Sequence, residues 1–144
     1  MTKLLLLVTI AGERVALPAE TVEAVVEIGA LTPVPRAPAH VAGLAALRSR
    51  VLTVIDCRAS LGLGRTEPAS RYDAVVVGVD GQPYALLVDS VEDTAECGAA
   101  PTAVRSQLHA GWAGAATGMI ELEGVPMLLI DPASLVAGST ALAA

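Results

Sequence analysis

A chain of 144 residues with 53% hydrophobic and 17% charged side chains is long enough to bury a core and too apolar to remain disordered. Its net charge of −6, with no cluster of Lys or Arg, argues against nucleic acid or an anionic membrane surface as a partner. Phe is absent and Trp occurs once, so the core must be built from Val, Leu, Ile and Ala.

Strand signals dominate. The run Leu4–Ile10, the Ala11-Gly12 turn and Arg14–Leu17 predict a hairpin, which Pro18 ends. Val22–Ile28 is rich in β-branched residues and predicts a third strand. Pro33, Pro35 and Pro38 make Leu31–Pro38 an extended loop without ladder donors. A helical turn over Ala39–Ala42 precedes two apolar runs, Leu44–Leu47 and Val51–Ile55, interrupted by the polar knot Arg48-Ser49-Arg50. These predict a strand pair with arginines at its turn. An arginine held there presents five donors in a fixed fork, a good group for binding a carboxylate.

Cys57–Leu63 has helical character, with Asp56 as its N-cap. The polar segment Arg65–Ser70 is the best boundary candidate. Tyr72–Val79, an Asp80-Gly81 turn and Tyr84–Val88 predict a second hairpin. Val91–Ala95 follows as a strand. Gly98–Leu108 reads as loop with a short helix near Pro101. Thr117–Leu122, Glu123-Gly124 and Val125–Ile130 predict a third hairpin. Asp131-Pro132 then starts a helix, with Asp as N-cap and Pro at the first helical position. The tail from Gly138 is small and expected to fray.

The chain repeats itself. Residues 12–27 align without a gap on residues 81–96, a constant offset of 69 positions, pairing the hairpin glycines Gly12 and Gly81. Val54-Ile55-Asp56 with Ala59-Ser60-Leu61 recurs as Leu129-Ile130-Asp131 with Ala133-Ser134-Leu135. The expected architecture is therefore mainly β, with two similar lobes of about five short strands within one domain spanning 1–144. By the repeat, the lobes lie at about 12–66 and 70–130, with termini free to cross over. Sheets that small are marginal alone and gain by closing into barrels that pack on each other.

Met1-Thr2-Lys3 and the apolar run after it resemble the start of a signal peptide. The run is short, Glu13 and Arg14 follow at once, and the repeat makes it a strand, so no cleaved leader is expected. No run approaches the ~18 apolar residues of a membrane span. Cys57 and Cys97 lack metal-ligand spacing and fit a reduced, cytoplasmic compartment.

No catalytic constellation emerges. His40 and His109 are isolated. Ser60 and Ser134 lack the nucleophile elbow and read as helix packing. Gly62-Leu63-Gly64 lacks the third glycine and the lysine of a phosphate cradle. Asp89 interrupts an apolar strand and must meet solvent, a backbone donor or a cation. Trp112, between Gly111 and Gly114, reads as core packing at the lobe junction. Glu27 shares a strand face with Val25 and Glu23 and is either a surface carboxylate or a partner for Arg48.

In order and spacing, the motifs resemble those of the CheW-like coupling proteins of bacterial chemotaxis. The matches are Val15-Ala16-Leu17-Pro18, Val25-Val26-Glu27-Ile28, Thr32-Pro33-Val34-Pro35, the central run Gly43–Cys57, Leu87-Val88-Asp89-Ser90-Val91 and Gly118–Gly124. The central family signature reads Gly-x-x-Asn-Leu-Arg-Gly-x-x-x-Pro-x-x-Asp-Leu. The chain departs from it at Ala46, Ser49, Thr53 and Cys57. If the replaced Gly takes positive φ, Ser49 is strained there or the turn is remodelled.

The resemblance implies two small SH3-like β-barrel lobes on a shared core. It also implies a non-catalytic adaptor with no cofactor or metal. The implied partners are the regulatory domain of a chemotaxis histidine kinase, itself a similar double barrel, and the cytoplasmic tip of chemoreceptors. Arg48 and Glu27 correspond to family residues implicated in partner contacts, with Thr32, Val25 and Leu47 around them. Two other readings are a ligand-binding or enzymatic barrel using the interlobe crevice and a self-assembling structural protein.

Overall fold

The computed structural model describes residues 3–98, 100–103 and 110–138. Its elements run β1 (Lys3–Ile10), β2 (Glu13–Pro18), a 3-10 turn (Ala19–Thr21), β3 (Val22–Ile28), β4 (Val41–Leu47), β5 (Arg50–Asp56) and α1 (Cys57–Ser60). The second half runs β6 (Tyr72–Val79), β7 (Gln82–Val88), β8 (Ser90–Cys97), α2 (Ala110–Ala115), β9 (Ala116–Leu122), β10 (Val125–Ile130) and α3 (Pro132–Ala137).

Among the described residues, ten strands form two five-stranded sheets, one ordered β8-β1-β2-β10-β9 and the other β3-β6-β7-β5-β4. The expected fold class stands, but the lobe boundaries are corrected. The second sheet draws all its strands from residues 22–88, while the first is made of both ends of the chain. If β1–β5 are matched with β6–β10, the order of one sheet becomes the order of the other. Each sheet thus holds the leading hairpin of one half and the last three strands of the other. β1 pairs with β8 rather than β3, and β6 pairs with β3 rather than β8.

The exchange explains the continuous apolar runs. On β1, Leu5 and Leu7 enter the interior of the first barrel, while Leu6, Val8 and Ile10 enter a core shared by both. On β6 and β7, Ala74, Val76, Ala85 and Leu87 fill the second barrel, while Val75, Val77, Leu86 and Val88 face the shared core. Strands buried on both faces lose the in–out alternation of a solvated sheet. The swap makes the hydrophobic junction part of both lobes, with one face of the central strands filling its own barrel and the other face the shared core.

The helices seal that junction. Ser60 Oγ on α1 donates to Leu135 O on α3 at 2.7 Å. Trp112 is buried in the shared core as expected, yet it stands on α2, a helix that Gly111 and Gly114 make inconspicuous in the sequence. The Cys57–Leu63 helix is a single turn, and residues 41 and 42 are strand rather than helical turn. Cys57 lies in the shared core and Cys97 in the first barrel, and no disulfide joins them. The expected loop and helix over 98–108, His109 and the tail fall wholly or partly outside the described residues.

Candidate partner-binding site

β3 and β4 are the two edges of the second sheet. On β3, Glu23, Val25 and Glu27 alternate outward while Ala24 and Val26 pack inward, the strand period read from the sequence. Val25 is half exposed, at 50%. On the other edge, Leu44 exchanges two backbone hydrogen bonds with Thr32, each 2.8 Å, which fastens the proline loop against β4. Gly43 permits this approach. A Cβ there would stand 2.6 Å from the Thr32 carbonyl oxygen, and its φ of +151° is one that L side chains rarely adopt.

Arg48 and Ser49 form the turn between β4 and β5. The positive φ expected at Ser49 falls instead on Arg48, at 58°, so the turn is remodelled by one position. The two-residue loops at Ala11-Gly12, Asp80-Gly81 and Glu123-Gly124 have positive φ at both residues. Arg48 therefore occupies a left-handed conformation that ordinarily disfavours a long side chain. It is exposed, as is Arg50. Together with Leu47, Leu52, Val76, Glu23 and Ala24 they line a groove of about 240 Å³ between the hairpin and β3.

This geometry corrects one expected pairing. Glu27 accepts from Arg71 Nη1 at 2.5 Å, not from Arg48. The reason lies in the register, because Glu27 stands opposite Asp73 across β3 and β6. Two carboxylates at such a position repel, and the neighbouring arginine relieves them. The pair is exposed, and Glu27 raises the pKa of Arg71. Glu23, further along the same face, is the acidic residue at the arginine turn, 3.8 Å from Arg50. Its place on the Val25–Glu27 face was legible at strand spacing, but its nearness to the turn required the sheet to curl.

The remaining candidates take structural places. Asp56 caps α1, accepting from Arg58 N at 3.1 Å and Ala59 N at 3.4 Å, and it also receives Thr66 N and Oγ1 at 2.9 and 2.7 Å. Asp131 caps α3. Asp89 meets a backbone donor, Gly12 N at 2.8 Å, and a cation, Arg58 at 3.3 Å. His40 Nε2 lies 2.8 Å from Val136 O, which ties the start of β4 to α3. Burial and the neighbouring Asp56 and Asp89 push the Cys57 thiol far above its ordinary range.

A family model for the CheW-like domain matches residues 4–139. Over 62 residues, the chain is 44% identical to "Chemotaxis protein CheW" of Rhizobium meliloti (strain 1021) and 39% identical to "Probable chemotaxis protein CheW" of Rhizobium etli. Each alignment covers 43% of this chain and 40% of the relative, so the chain matches less than half the length of those proteins. The solved structure of scaffolding protein TtCheW from Thermoanaerobacter tengcongensis superposes with a TM-score of 0.78 at 21% identity, covering 91% of this chain and 90% of the other. The double barrel has the same fold as that structure, and with the family model spanning nearly every residue, the chain belongs to the CheW-like domain family.

Proposed function

We propose that the protein is a non-catalytic adaptor of the cytoplasm. It couples the cytoplasmic tip of chemoreceptors to the regulatory domain of a chemotaxis-type histidine kinase. The observation that carries this reading is the arginine turn. Arg48 and Arg50 are held at the rim of an apolar groove by a hairpin rooted in the barrel interior through Leu52 and Val54. Val25, Leu47 and Val51 add exposed or half-exposed apolar surface, Val51 being 66% exposed. With Glu23 beside Arg50, Arg48 is left over an apolar floor, which suits a partner that presents aliphatic side chains beside a carboxylate. In this reading Arg48, Glu27, Thr32, Val25 and Leu47 form the docking face, with Glu27 contributing through its pair with Arg71.

The test is capture of the host's kinase regulatory domain, and of receptor–kinase assemblies by co-sedimentation, with wild type and Arg48→Ala. Weaker capture at an unchanged melting temperature is expected, because the Arg48 side chain is exposed. Full capture by Arg48→Ala would remove Arg48 from the interface. Failure of the wild type to bind either partner would overturn the adaptor reading.

A further inference from the structure

Among the described residues, five that are not glycine take a positive φ. Three of them, Ala11, Asp80 and Glu123, each precede a glycine in a two-residue hairpin loop, where the turn demands it. The other two are both arginines, Arg36 at 64° and Arg48 at 58°. Arg36 stands in the proline loop. Ala37 N donates to Val34 O at 3.3 Å, which closes a turn with Pro35 second and Arg36 third, a place that glycine or asparagine ordinarily fills. Both ends of the loop are fixed, by Thr32 on Leu44 and by Val41 N donating to Pro38 O at 2.9 Å. The loop therefore holds a long side chain at a cost in backbone strain that glycine would avoid. Arg36 is exposed and, like Arg48, has no salt-bridge partner among the described residues. Arg14, Arg50, Arg58 and Arg71 each meet a carboxylate. Arg65 is also unpaired, but its φ is not positive.

The bridge from Thr32 to Leu44 is antiparallel, so the chain beyond Thr32 runs toward the start of β4, whereas Arg48 follows its end. The two arginine turns thus flank a strand of seven residues, on the order of 20 Å apart. Each has an exposed valine near it in the chain, Val34 at 37% and Val51 at 66%. We infer that Arg36 is a second docking arginine, whose guanidinium takes a carboxylate of the same kinase regulatory domain that engages Arg48. The inference rests on the adaptor reading and deepens it, adding the proline loop to the contact and the charge pattern its partner must carry. Strain kept at an exposed residue with no ion pair inside the fold calls for a contact outside it. A five-donor fork beside an aliphatic side chain recognises a carboxylate. A folded domain can cover both turns, since an interface of about 800 Å² per partner is roughly 30 Å across.

Titration of the host's kinase regulatory domain against wild type, Arg36→Gly, Arg36→Ala and the double variant Arg36→Ala with Arg48→Ala tests this. Each Arg36 variant should bind about tenfold more weakly. The double variant should lose the product of the two single effects, because contacts this far apart act independently. Urea denaturation separates contact from folding. Arg36→Gly should keep or raise the midpoint, since glycine accepts the φ of 64°, so its weaker binding is not a folding defect. Wild-type binding left intact by both Arg36 variants would overturn this inference alone. A lowered midpoint for Arg36→Gly would show that the arginine serves the loop, and would overturn it too. Loss of receptor co-sedimentation with kinase binding intact would assign Arg36 to the receptor instead and overturn the shared contact. Wild type that fails to bind the kinase domain would overturn the adaptor reading and this contact with it.

Discussion

Replacing Gly43 by Ala probes the joint that fastens the proline loop to β4. The new Cβ would lie 2.6 Å from the Thr32 carbonyl oxygen and 3.1 Å from its carbon. The obstructing atoms are backbone, so no side chain can rotate away. Either the loop withdraws or the substitution is carried as strain. Holding a non-glycine residue at a φ of +151° costs about 1–3 kcal/mol. Withdrawal weakens two backbone hydrogen bonds of 2.8 Å, each contributing about 0.5–1.5 kcal/mol. By either route the expected loss is about 1–3 kcal/mol, a large share of the roughly 5–15 kcal/mol that stabilises a domain. Urea denaturation measures it, with the slope checked for constancy. Gly29→Ala is the control, because nothing lies within 4 Å of its Cβ position. Gly118→Ala should fall between, its Cβ meeting Thr102 O at 2.9 Å without a φ in the unfavourable range. If Gly43→Ala matched Gly29→Ala to within about 0.5 kcal/mol, the argument that this glycine admits the loop would fail.

Arg48→Gly should stabilise the fold by about 0.5–1 kcal/mol, since glycine accepts the φ of 58° freely, yet it should lose partner capture with the guanidinium. A destabilised variant would refute the strain at that turn. Asp56→Ala should cost about 2–4 kcal/mol, because the carboxylate is 6% exposed and serves both the α1 cap and Thr66. Denaturation of Thr66→Ala beside it separates the two contributions. Cys57 should alkylate no faster than the protein unfolds, as burial keeps the thiol protonated. Its pKa is raised in the folded state, so its contribution is complete below the unfolded thiol's pKa of about 8.5 and falls as pH rises beyond that. Cys57→Ala should flatten the alkaline side of the stability profile, and an unchanged slope would show that another group sets it.

Local features were legible because their causes are local. The turns at Ala11-Gly12, Asp80-Gly81 and Glu123-Gly124 lie where their chemistry demanded, and all have positive φ at both residues. β3 and β6 span the predicted residues, since Gly29 and Asp80-Gly81 close them. Asp56 and Asp131 cap the helices that follow. Of the candidate site, the exposed arginine turn and the outward face Glu23–Val25–Glu27 followed from spacing. The partner of Glu27 did not, because Arg71 reaches it from a segment 44 residues away.

The ten-strand inventory, the duplicated pattern and the family were thus written in the order of residues. Which strand joins which sheet was decided only in three dimensions. A strand as apolar as Leu4–Ile10 fits either barrel, because both its faces are buried and neither marks a partner. The pairing of β1 with β8, and of β3 with β6, follows from packing two barrels on one core. That packing also curls the second sheet until Glu23 on one edge strand meets Arg50 at the turn of the other edge hairpin, a relation no local stretch of sequence contains.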